Sequence, residues 1–301
     1  MTNTGLADLH RHLDGSLRPA TVADLAARAG LSVPVGLAFS PGMGLEAALS
    51  RFTFTLSLLQ APEAVRRVAG EMCEDAAAEG VTTLEIRFAP QLHRGAPLEA
   101  IIDAALEGID GRAGLILCGL YGEPPSVLDD LVNAAASRPG VVGLDLAGGP
   151  SASHRTRMKD YALPFHRAAD LGLGRTVHAG EGRPSAEIRV AIEALMANRI
   201  GHGTTLLDDE ATVDLVFSRG VAIEACPTSN VHTGVIGSLA VHPLPAWLDL
   251  GIRVSVCADN TLLSATDARE ELRRVMEIPG MTEAKRRALI DNGHAAAFKR
   301  G

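Results

Sequence analysis

The stretch "RTVHAGEGRPSAEIRVAIEALMANRIGHG", residues 175–203, decides the fold. It opens on a short apolar run that reaches His178 and continues through "SAEIRVAIEALMAN", where apolar residues recur at helical spacing. It closes on a second short run that ends at His202. Strand, helix, strand is one β/α unit, the building block of a parallel sheet. Working outward, the same alternation predicts strands at 6–14 ("LADLHRHLD"), 82–90 ("TTLEIRFAP"), 114–120, 142–148, 175–181, 199–203, 221–230 and 253–260. Eight such units predict closure into an α/β (β/α)₈ TIM barrel. Two intervening helix candidates, "PEAVRRVAGEMCEDAAAEG" (62–80) and "DDEATVDLVFSRG" (208–220), each end on a glycine suited to a C-terminal cap.

The first connection, from Gly15 to Val81, is far longer than the others. Within it "GLEAALSRFTFTLSLLQ" (44–60) reads as an extra amphipathic helix inserted after strand 1. Such a helix either covers the barrel mouth or packs Phe52, Phe54 and Leu58 into the core; periodicity alone is compatible with both. No linker or longer repeat interrupts the chain, so residues 1–301 are expected to form one domain. Its 28 Lys and Arg against 36 Asp and Glu give a net charge of -8 without single-sign blocks. That balance argues against a nucleic-acid-coating surface and for a small-molecule partner. Cys73, Cys118, Cys226 and Cys257 lie far apart, without metal-knuckle spacing or a disulfide framework. With no signal-like N-terminus and no apolar run of membrane length, a cytoplasmic location and no membrane partner are expected.

In a barrel of this kind the chemistry sits where strands end at their C-terminal edge. There this chain places His10 and His12, His178 and Glu181, His202, and Asp259 with Asn260. Alternation puts His10 and His12 on one face, where two imidazoles can chelate one ion. His178 and Asp259 would complete three nitrogens and one oxygen, a set suited to a borderline ion such as zinc. An ion of that type can supply hydroxide near neutral pH. Glu181 is then the candidate acid, turned back over the pocket by Gly180, and His202 can assist the water or stabilise developing charge. The glycines of "LAGGP" permit a ligand to approach the backbone closely without forming a dinucleotide motif. His93, His154, His166, His232, His242 and His294 read as surface or supporting groups, with His232 able to border the mouth. Cys226 and Cys257 read as buried packing residues.

The segments "HRHLDGSLRP", "LDLAGG", "TVHAGE", "RIGHGT", "CPTSNVHTG" with "HPL", and "ADN" occur in the order seen in the adenosine deaminase family of the amidohydrolase superfamily, and the chain resembles it from about Leu6 to Phe298. The resemblance implies hydrolytic deamination of a 6-aminopurine nucleoside, adenosine or deoxyadenosine, by hydroxide generated on one Zn²⁺ per chain. By the same resemblance His10, His12, His178 and Asp259 match the metal ligands. Glu181 matches the residue that protonates purine N1, and His202 the histidine that orients the hydroxide. Among substrate contacts, which also include His12, Gly148 matches the glycine whose N–H meets purine N3, and Asp14 matches a group near the ribose 5′ side. Asn260 stands where many members carry a second aspartate against purine N7; an amide can donate to that acceptor directly.

Two further departures are visible. Gly149-Pro150 replace an acidic pair often found after the glycine, and a final helix common in the family is expected to be shortened. Adenine, a 5′-modified adenosine and aminodeoxyfutalosine are alternative substrates for the same chemistry. A catalytically lapsed, metal-bound nucleoside-binding protein is the alternative from another class; a monomer and a homo-oligomer are equally compatible with the sequence. An amide or ester hydrolase is disfavoured because no bridging lysine stands at a strand end.

Overall fold

The computed structural model describes residues 5–151 and 153–299. Its strands are β1 (Leu6–His12), β2 (Val81–Phe88), β3 (Gly114–Leu120), β4 (Val141–Ala147), β5 (Gly174–Ala179), β6 (Arg199–His202), β7 (Ala222–Ala225) and β8 (Arg253–Val256). They pair in sequence order, each parallel to the next. The seam between β1 and β8 is held by one bridge, Arg11 against Asp259. In it the His12 N–H donates to Asp259 O (2.8 Å) and the Asp259 N–H to His10 O (2.9 Å). Barrel closure and the positioning of Asp259 beside the two histidines are therefore the same interaction.

The helices are α1 (Pro19–Arg28), α2 (Leu45–Leu58), α3 (Pro62–Glu79), α4 (Leu98–Ile109), α5 (Pro125–Ala136), α6 (Ala162–Asp170), α7 (Ala186–Glu193), α8 (Glu210–Arg219), α9 (Pro227–His232), α10 (Leu244–Asp249), α11 (Ala268–Val275) and α12 (Glu283–Ala296). Prolines open α3 and α5, where a missing N–H costs nothing, and Gly80 and Gly220 cap α3 and α8 as expected. Strand alternation divides the interior. On β2, Leu84, Ile86 and Phe88 join the apolar core beneath the helices, while Glu85 and Arg87 point into the barrel.

Several strand boundaries differ from the sequence reading, three of them where site residues lie. The expected strand 221–230 stops at Ala225, because Pro227 cannot donate to a ladder and instead begins α9. The expected strand 253–260 stops at Val256, and Asp259 and Asn260 follow it in irregular backbone, Asp259 with φ of 60°. The expected strand 6–14 ends at His12, where a tight turn over Leu13–Gly15 begins. The inserted helix α2 does both things its sequence allows. Leu45, Ala48, Leu49 and Phe52 face the barrel mouth, whereas Leu58 is buried in the main core.

Candidate active site

Two buried carboxylates set the tautomers of the histidines. His10 Nδ1 lies 2.6 Å from Glu224 Oε2, and His178 Nδ1 lies 3.2 Å from Asp145 Oδ1. A carboxylate accepts, so each ring carries its proton on Nδ1 and turns the Nε2 lone pair inward. Those nitrogens converge: His10 Nε2 to His12 Nε2 is 3.2 Å and His12 Nε2 to His178 Nε2 is 3.3 Å. Asp259 Oδ1 joins them at 3.6 Å from His10 and 3.4 Å from His12. Burial first, and then the neighbouring imidazoles and the Arg87 guanidinium, hold His10 and His12 well below the ordinary histidine range, so both rings are neutral and able to ligate a cation. Lone pairs this close repel unless a cation lies among them, and the donor set fits a divalent ion that favours nitrogen and oxygen.

Beneath these side chains lies a buried ionic layer. Arg87 donates from Nη1 to Asp145 Oδ2 (2.9 Å) and from Nη2 to Glu224 Oε2 (2.8 Å), so one guanidinium holds both carboxylates that orient imidazoles. Arg199 lies with Nε 2.6 Å from Glu224 Oε1 and pairs with Glu85 as well. These side chains were not singled out from the sequence. The available signal was a charge inside an otherwise apolar strand, as in "VAIEACP", "LDLAG" and "LEIRF".

His202 ends β6 with φ of 66°, a backbone rarely adopted by a residue with a side chain. A backbone-anchored chain of hydrogen bonds fixes its ring. The Leu244 N–H donates to His242 Nδ1 (3.2 Å), which leaves His242 Nε2 to donate to Asn230 Oδ1 (3.3 Å). The Asn230 amide then donates from Nδ2 to His202 Nδ1 (3.1 Å). His202 therefore carries its proton on Nε2, which stands 3.9 Å from Glu181 Oε2. Burial lowers the His202 pKa to about 3 and keeps the ring neutral. Burial also raises Glu181 above the ordinary carboxylate range, toward the protonated form that an acid requires. His242 is thus a supporting group, as expected, but the role of Asn230 was missed.

His12, His178, Asp259, Glu181, His202, Gly148 and Asn260 line one cavity. Asn260 Oδ1 is turned into the crevice beside Gly15, where a Cβ would lie 1.8 Å from it; any other residue at 15 would displace the amide. With Oδ1 so enclosed, Nδ2 is the donor left for the cavity. Asp14 lines an adjoining chamber together with His12 and Gly148, and burial pushes its carboxyl up to about 7. Eight of the nine side or main chains anticipated from the sequence thus line these two adjoining spaces, and the fully buried His10 stands behind them with its Nε2 3.2 Å from His12 Nε2. His232 stands one layer out, its ring 6.2 Å from that of Phe39, which lines the cavity. Cys226 and Cys257 are buried as expected. Cys226 nonetheless has its Sγ within 4.8 Å of an imidazole nitrogen of His202 and a carboxylate oxygen of Asp259, and burial raises its thiol well above the ordinary range.

Comparison with known proteins agrees with this geometry. The family described as adenosine deaminase matches residues 5–300. An adenosine deaminase of Shewanella woodyi is 35% identical over 293 residues, covering 90% of this chain and 87% of that protein. One from Erwinia tasmaniensis is 33% identical over 316 residues, covering 97% and 93%. Among solved structures, adenine deaminase from Arthrobacter aurescens superposes with a TM-score of 0.86 at 26% identity, covering 98% of this chain and 94% of that one. With a match that runs nearly end to end and a barrel mouth furnished in this way, the chain belongs to the adenosine deaminase family.

Proposed function

We propose that the protein hydrolytically deaminates a 6-aminopurine nucleoside, with adenosine and deoxyadenosine as reference substrates, to the 6-oxopurine nucleoside and ammonia. One observation carries this reading: three Nε2 atoms and a carboxylate oxygen converge at one wall of a cavity that is also lined by a buried acid and a neutral, tautomer-fixed histidine. His10, His12, His178 and Asp259 would hold Zn²⁺. When bound, such an ion lowers the pKa of a water molecule toward neutrality.

The chain's own residues account for the remaining requirements. Water addition at C6 pushes electron density onto N1, where the Glu181 carboxyl donates its proton and removes the developing charge. His202 offers an N–H from Nε2 beside that carboxyl, suited to orienting the attacking oxygen. The Gly148 N–H and the Asn260 amide donate to purine N3 and N7, which holds C6 in register. Asp14 accepts from a ribose hydroxyl. The hydroxyl proton on the tetrahedral carbon then passes to the amino group, whose departure as ammonia leaves C6 as a carbonyl carbon, and the proton released when the water ionises restores the Glu181 carboxyl.

The alternative of a lapsed binding protein is disfavoured by the retention of Glu181 and His202 in one cavity with the ligand set. The test is a screen of metal-replete protein against adenosine, deoxyadenosine and adenine, following loss of aminopurine absorbance. Turnover of the nucleosides is expected, and failure to turn over any 6-aminopurine would contradict the reading.

A further inference from the structure

Strands β5 to β8 lead to the mouth at their C-terminal ends, and their other ends meet at the opposite face of the barrel. Arginines gather there. Arg175 is the second residue of β5, Arg199 opens β6 and Arg253 opens β8, while Arg219 closes α8 just before β7. All four line one cavity of about 460 Å³, whose apolar side chains include Ile192, Ala197 and Val221. It shares no lining residue with the cavity of the candidate active site or with the chamber beside it.

Only one of these guanidinium groups is neutralised. Arg199 is buried, pairs with Glu85 and Glu224 and lies over the Phe298 ring. Arg175, Arg219 and Arg253 have no carboxylate partner among the described residues. Arg175 is half-buried and donates from Nε to Met196 O (2.8 Å) and from Nη1 to Leu173 O (2.7 Å), carbonyls that would otherwise repel an anion. Burial lowers its pKa, and no neighbouring charge offsets that cost. Arg253 packs over the glycine that follows Arg219: a Cβ at Gly220, where φ is 60°, would stand 2.7 Å from its Nη2. Asn198 Oδ1 accepts from the Arg175 N–H (3.1 Å), which leaves Nδ2 as a further donor. The single acid among the described lining residues is the exposed Glu193, so three unpaired positive charges face one negative in a chain of net charge -8. An arginine in the last turn of a helix complements its dipole, which accounts for Arg219 alone and not for Arg175 or Arg253 on strands.

We propose that this cavity is a second binding site, for a small organic phosphate whose anionic head is held by Arg175, Arg219, Arg253 and the Asn198 amide. The planar fork of a guanidinium matches phosphate oxygens two at a time, and a doubly charged head balances the site where a carboxylate balances only part of it. The apolar side chains are left for a compact organic body. The experiment is titration calorimetry of the metal-replete protein with phenyl phosphate, inorganic phosphate and benzoate. Phenyl phosphate is expected to bind saturably at one site per chain, with inorganic phosphate about tenfold weaker for want of the apolar body. Benzoate, with one charge and two oxygens, is expected to bind at least ~10-fold more weakly than phenyl phosphate. Arg219→Ala and Arg253→Ala, both exposed positions, should each weaken phenyl phosphate about tenfold. Glu193→Gln should strengthen it about threefold, a gain that a damaged fold does not produce. No saturable binding of phenyl phosphate, benzoate bound as tightly, or an affinity unmoved by the two arginine substitutions would each overturn the proposal. The test needs no turnover, so its outcome is independent of the deamination reading.

Discussion

At the scale of the residue, the site is a set of protons held in fixed places. Glu181→Gln keeps the shape of the acid but removes its proton transfer. We predict a loss of ~10²- to 10⁴-fold in kcat with metal content unchanged, read by steady-state kinetics and elemental analysis of the same sample. His242→Phe tests the hydrogen-bond chain from the opposite end. Without a donor to its Oδ1, the Asn230 amide is free to flip, and the Nε2 proton of His202 is no longer enforced. A fall in kcat on the order of 10- to 100-fold with little change in KM is expected, comparable to losses when other outer partners of an imidazole are removed. An unaltered kcat would show that the ring finds its tautomer unaided. Glu224→Gln leaves the acceptor shape but weakens the grip on His10 Nδ1. Its metal affinity, titrated with a competing chelator, should drop by roughly 10- to 100-fold.

Among the elements, what was legible in the sequence follows from what each signal depends on. Strand alternation and helical spacing are local, so all eight strands and the inserted α2 could be read directly, together with the strand-end residues that reach the mouth. The end of strand 7 was misread because the expected strand ran through Pro227 into Thr228, Ser229 and Asn230, where the backbone has already turned into α9. The oxygen of Asp259 depends on a bridge between the first and last strands, a contact between positions about 250 residues apart that no local pattern encodes. Likewise, Glu224, Asp145, Arg87 and Arg199 satisfy one another across different strands, so each looks anomalous when its own strand is read alone. Helix α2 sets Phe52 over the mouth, with its ring 6.4 Å from that of His12. Phe52→Ala should raise KM for nucleosides by on the order of tenfold, corresponding to ~1.4 kcal/mol of lost apolar burial, without changing bound metal. A KM within twofold of the parent would mean that α2 only packs and does not cover the ligand.

For the molecule as a whole, stability and function draw on the same buried charges. Arg87 and its two carboxylates are fully buried at the centre of the barrel, where an ion pair is costly to assemble and more costly to break. Arg87→Met leaves Asp145 and Glu224 close together without their shared guanidinium. A loss of roughly 3–5 kcal/mol is expected in denaturant unfolding. His10 and His178 would lose their supports at the same time, so a destabilised variant should also bind metal weakly. The barrel thus ties its closure, its ionic interior and its mouth into one arrangement, whose proposed purpose is to hold an ion and deliver a proton to a purine. The most direct measurement is ammonia released per nucleoside consumed, by metal-replete and by chelator-treated protein. One ammonia per 6-oxopurine nucleoside, abolished by chelation and restored by Zn²⁺, is the predicted result; a metal-replete protein that releases no ammonia from any 6-aminopurine nucleoside would contradict it.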